Sequence, residues 1–84
     1  MKRPRRTSNQ KTIVGRILKH YAEGRSFTQK ELFDSLPEGF TSYNALRVSI
    51  RILEEQGILV RSGPRGARLL VPTTLAFQYF TPER

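Results

Sequence analysis

The chain holds 84 residues, with fifteen Lys and Arg against seven Asp and Glu, a net charge of +8. That length makes one domain, too small for a second domain or a large cofactor fold, and the charge favours polyanionic partners. With no Cys and a single His, a disulfide scaffold and a thiolate zinc site are excluded, as is a three-ligand zinc site of the usual type within one chain.

Twelve of the fifteen cations fall in three stretches, residues 2–19, 47–51 and 61–68. Residues 1–9 are Lys, Arg, Pro, Ser and Asn rich, which predicts a flexible basic arm. Ser8 or Asn9 is placed to cap a first helix that runs to about residue 22. Ile13, Val14, Ile17, Leu18 and Tyr21 recur at helical spacing as one apolar stripe, and Lys11, Arg16 and Lys19 sit off it. Gly24 closes that helix.

Thr28 and Glu31 have the spacing of a capping box, and Phe27 stands where it can pack on Leu32 as a staple. A second helix therefore starts at Gln29 and turns Leu32, Phe33 and Leu36 inward. Pro37 and Gly39 end it after about two turns, too few to be stable undocked. Thr41 or Ser42 caps a third helix that reaches about residue 56, with Leu46, Ile50 and Leu53 as its inward stripe and Ala45 and Ile52 beside it. Gly57 suits the left-handed position past a helix end. Residues 59–62 and 67–71 read as two strands around Gly63-Pro64-Arg65-Gly66, and a third short strand is expected near Ser26 and Phe27. Residues 73–84 hold Leu75, Phe77, Tyr79 and Phe80. So aromatic a segment either covers the open side of the domain or meets the same segment of a second copy.

This order of elements resembles the winged helix-turn-helix family from about Gln10 to Val71. The most specific piece is ALRVSIRILEEQGILV, residues 45–60, which is similar to the family's recognition helix and its closing run of Leu, two acids, Gly and apolar residues. The resemblance implies an α+β fold, a winged helix-turn-helix of three helices plus a small β-hairpin wing spanning residues 10–72. It implies double-stranded DNA as the partner. Arg47, Val48 and Arg51 match exposed positions of the recognition helix, Tyr43 and Asn44 match its first turn, and Arg65 matches the wing tip.

The side-chain chemistry of these positions is compatible with that partner. The Asn44 amide fits adenine N6 and N7 in the major groove; it also stands three residues after Thr41, where it could help cap the helix. Arg47 and Arg51 are four apart and share a face. Either can fork onto guanine O6 and N7 while the other takes a phosphate, or both are a solvated face with Arg51 bridging Glu55. Val48 either touches a thymine methyl or packs against something else. Ser42 and Tyr43 place hydroxyls where a helix start already favours an anion. Gln29 and Lys30 open a helix that crosses the backbone in this architecture. Arg61, Arg65 and Arg68 surround the hairpin turn and suit a minor groove, or they protect a sheet edge. Lys2, Arg3, Arg5 and Arg6 either keep the chain soluble or lie along a groove as an arm.

A monomer this small covers few base pairs, so a homodimer on a repeated site is expected. The aromatic segment, with Leu75, Phe77, Tyr79 and Phe80, and the first helix are its expected surface. His20 with Glu23 is ordinary for a surface helix, and no paired carboxylates or phosphate-binding Gly-rich loop is evident, so an enzyme is not expected, nor a cofactor, metal or small-molecule ligand. No run approaches the roughly 20 apolar residues of a membrane span, and a cytoplasmic or nucleoid-associated place is expected. Within the family, DNA-binding implies transcription regulation, as a repressor, or maintenance of a mobile element. The same fold also serves as a protein-interaction module, which would join Val48, Tyr43 and the C-terminal segment in one apolar patch. RNA is a third partner, although exposed aromatics spaced on a sheet are lacking.

Overall fold

The computed structural model describes residues 8–83 of the chain. It is a small α+β domain with a three-stranded antiparallel sheet. The first helix, α1 (Ser8–Ala22), buries Ile13, Val14, Ile17 and Leu18 on one stripe. The stripe outlasts the core: Tyr21, expected inward, is exposed, and its ring lies 6.3 Å from that of Phe77. After α1 the chain turns, with the amides of Glu23 and Arg25 both donating to the carbonyl of His20.

A two-residue strand, β1 (Phe27–Thr28), leads straight into α2 (Gln29–Ser35). Thr28 serves both. It closes β1 and caps α2 by accepting from the Glu31 amide at 3.2 Å, while the Thr28 amide donates to Glu31 Oε1 at 2.9 Å. The reciprocal pair satisfies two of the amides that a helix start leaves open. Leu32 and Leu36 are buried and Phe33 packs on the core. Pro37 follows the last turn, where continuing the helix would cost a backbone bond.

In α3 (Tyr43–Glu55), Ser42 is the cap, accepting from the Ala45 amide at 3.1 Å. Leu46, Ile50 and Leu53 are fully buried. The helix ends in a Schellman arrangement: the Ile58 amide donates to the Leu53 carbonyl at 2.9 Å and the Gly57 amide to the Glu54 carbonyl at 3.0 Å. Gly57 has φ +75°, a left-handed backbone that costs a side-chain-bearing residue roughly 1–2 kcal/mol. A Cβ there would also sit 3.4 Å from the Leu75 side chain. Gly57→Ala is therefore expected to destabilise the domain by about 1–2 kcal/mol, read as a lower urea midpoint with an unchanged slope.

That stop sends the chain into β2 (Leu59–Ser62), which turns through residues 63–68 into β3 (Leu69–Pro72). The sheet order is β1-β3-β2, so β3 is central. Phe27 pairs Leu70 on one side, and Arg61 pairs Leu70 on the other. The third strand expected near Ser26 and Phe27 is thus present, one residue later and on the hairpin's open edge.

The last element, α4 (Thr74–Tyr79), is a helix that the residue pattern does not announce. Thr73 anchors its start by donating its hydroxyl to the carbonyls of Gly57 and Ile58. Ala76 and Phe80 are buried, and Leu75 and Tyr79 pack on the core. The chain then crosses α1 at Gly15, whose carbonyl accepts from the Glu83 amide at 2.9 Å. A Cβ on Gly15 would lie 3.0 Å from the Thr81 carbonyl oxygen. Arg16 fastens the crossing, with Nε 3.3 Å from Glu83 Oε2 and Nη2 3.3 Å from Glu83 Oε1, and it also donates to the Ser35 carbonyl at the end of α2.

Candidate nucleic-acid interface

The Ser42 cap and the Gly57 stop set the ends of α3, and its apolar stripe sets its rotation. With Leu46, Ile50 and Leu53 turned in, residues 44, 47, 48 and 51 occupy the opposite side, since neighbours three and four apart share a face. Asn44, Arg47, Val48 and Arg51 are all exposed. Together with Gln29, Glu54, Arg61 and Arg68 they line one open cleft between α3 and the hairpin. A second cleft, lined by Thr28, Gln29, Lys30, Tyr43, Arg61, Gly66 and Arg68, shares three of those residues and continues along the start of α2. The result is a basic trough bounded by α2, α3 and the hairpin.

Each sequence-derived candidate has a distinct place in it. Among the described residues, the side chains of Asn44, Arg47, Arg51, Arg65 and Arg68 make no hydrogen bond, ion pair or ring contact. Asn44 is not the cap, because the Ser42 hydroxyl holds that place. Arg51 does not bridge Glu55. Tyr43 is half-exposed and stacks edge-on against Phe33, ring centroids 5.2 Å apart at 81°, which ties the first turn of α3 to α2. Val48 is 48% exposed and faces the first cleft. Lys30 is exposed on the second cleft. Arg65 is exposed at the hairpin tip and lines neither cleft. Lys2, Arg3, Arg5 and Arg6 lie outside the described residues.

Two placements differ from simple contact residues. Arg61 is engaged internally: Nε donates to Glu54 Oε1 at 2.9 Å and Nη2 to Gln29 Oε1 at 2.9 Å. One guanidinium on β2 thereby joins α3 and α2 across the trough, and Gln29 is its partner. A pair this accessible contributes roughly 0–1 kcal/mol, so its effect is on geometry more than stability. Glu54 is not among the sequence-derived candidates for this site. A signal for it exists, since positions 47, 51 and 54 continue one outward stripe at i, i+4 and i+7.

The aromatic segment divides in two. Leu75, Tyr79 and Phe80 face the core of their own domain, whereas Phe77 is 50% exposed beside Tyr21. Among the described residues no helix is long and apolar enough to cross a membrane, and no group of three or more His, Cys, Asp or Glu could hold a metal ion. Compared with known proteins, the chain matches no family model, no curated protein and no solved structure.

Proposed function

We propose that the protein is a winged helix-turn-helix domain that binds double-stranded DNA sequence-specifically. The observation that carries this reading is the outward face of α3, where Asn44, Arg47 and Arg51 stand exposed and unpaired in a trough that holds four arginines against one glutamate. The element order supports it: a helix, a short strand, two further helices and a hairpin, with the first strand on the hairpin's open edge.

An α-helix with its side chains is about 10–12 Å across, which fits a major groove about 12 Å wide. With α3 seated there, Asn44 reads adenine, and Arg47 forks onto guanine while Arg51 takes a base or a phosphate. The Ser42 and Tyr43 hydroxyls and Lys30 approach the backbone. Arg65 and Arg68, on a narrow turn, reach the adjacent minor groove or its phosphates. The proposed biological role is transcriptional regulation, as a repressor or a maintenance function, by a homodimer whose copies meet at Tyr21 and Phe77.

The protein-interaction alternative requires Val48, Tyr43 and the C-terminal aromatics to form one patch. Val48 and Tyr43 line the trough, whereas Phe77 lies beside Tyr21 of α1 and lines neither cleft, which favours the DNA reading.

The test is selection from a random duplex library at about 0.15 M ionic strength. An enriched motif is expected, with two related half-sites. No enrichment over input counts against the proposal. On the enriched duplex, Arg47→Ala is expected to lose about 1–3 kcal/mol of discrimination. Arg65→Ala should instead weaken selected and scrambled duplex alike and flatten the salt dependence by about one unit of slope. Gel-shift titration of both variants reads the difference; equal loss of discrimination in both would remove the division of labour.

A further inference from the structure

Glu54 is the one acidic side chain among the residues lining the trough, which it shares with Arg47, Arg51, Arg61 and Arg68. Its carboxylate touches Arg61 and no other charged group among the described residues. Nη2 of the same guanidinium is held by Gln29. Arginine binds phosphate best through two parallel N–H donors. Nε is committed to Glu54 and Nη2 is shared with Gln29, so a phosphate that takes the Nε side of Arg61 has to displace Glu54, and one that takes Nη1 approaches a fixed negative charge.

The penalty is not equal for all complexes. A complex without base contacts is held by phosphates alone and draws on every cation it can reach. A complex on the right sequence is seated by base edges at the start of α3. Ten residues separate Asn44 from Glu54, about 15 Å along the helix axis, so the carboxylate that holds Arg61 lies away from the base-reading start of α3. We propose that Glu54 is a specificity-determining residue, withholding Arg61 from the DNA backbone and thereby weakening sequence-blind binding more than cognate binding. This rests on the duplex-reading function proposed above.

Glu54→Gln tests it, because the amide oxygen still accepts from Arg61 Nε while the negative charge is gone. Titrations of the full chain on the selected duplex and on its scrambled counterpart, each over a range of salt, give four quantities per variant. Scrambled-duplex affinity is expected to rise about tenfold and its salt slope to steepen by about one unit, as one more phosphate is neutralised. Selected-duplex affinity is expected to rise about twofold, so the specificity ratio falls about fivefold. Glu55→Gln makes the same change in net charge on the next residue, which is exposed and lines neither cleft; it is expected to leave the ratio unchanged. Thermal melting of both variants should match the parent.

Equal gains on both duplexes, unchanged affinity and slope in Glu54→Gln, or the same loss of ratio in Glu55→Gln would each overturn the assignment. If the parent chain binds no duplex at all, the functional reading fails first and takes this inference with it, an outcome distinct from the other three.

Discussion

Reversing both arginines of the α3 face, Arg47→Glu with Arg51→Glu, is expected to weaken duplex binding by about 10²–10⁴-fold while the fold persists. The magnitude follows from the contacts removed. A good arginine–base or arginine–phosphate fork is worth roughly 1–3 kcal/mol, so two give about 2–6 kcal/mol, and each 1.4 kcal/mol is about tenfold. Carboxylates in their place also repel the backbone. Because neither arginine has a partner among the described residues, unfolding stability should shift by no more than about 0.5 kcal/mol. Fluorescence anisotropy with a labelled duplex, beside a thermal melt, separates the two effects. A loss smaller than about threefold (roughly 0.7 kcal/mol) in a folded variant would mean that DNA does not meet this face.

The second large effect concerns stability. Phe80→Ala is expected to cost about 3–5 kcal/mol, the range for deleting a buried aromatic. For 84 residues the total stability is about 4–13 kcal/mol, so much of the population could unfold. Phe77→Ala, three residues earlier, is expected to cost less than about 1 kcal/mol, because Phe77 is half exposed and Phe80 is 7% exposed. Urea titration of the pair measures whether α4 closes its own domain. Similar costs for the two would contradict the packing described above. In Phe77→Ala, sedimentation should also register weaker self-association if Tyr21 and Phe77 are where copies meet.

What was legible in the chain was local. The Thr28 and Glu31 capping box, the Ser42 cap and the glycine at 57 lie within a few residues of the groups they satisfy and fix three helix boundaries, while the Leu46, Ile50 and Leu53 stripe fixes the rotation of α3. Since rotation decides which residues face out, Asn44, Arg47 and Arg51 could be placed from spacing alone. The misses were non-local. α4 has six residues, too few for a helical period to show, and no side-chain cap; burial against α1 and β3 holds it. Arg61 reads as one more wing cation until β2 folds beside α3 and brings it to Glu54. Tyr21 follows the helical period of α1, but the core ends a turn earlier, so the same period carries its ring out to Phe77.

The crossing over α1 gives a way to recognise distant relatives. Glycine inside a helix costs about 1 kcal/mol relative to alanine, so a chain with nothing lying on that helix has reason to replace it. A homologue that carries glycine at the position of Gly15, with an arginine after it and an acid at the position of Glu83, should retain the crossing. One with a larger residue there should have a rerouted or shortened C-terminal end, and evolution should change these three positions together.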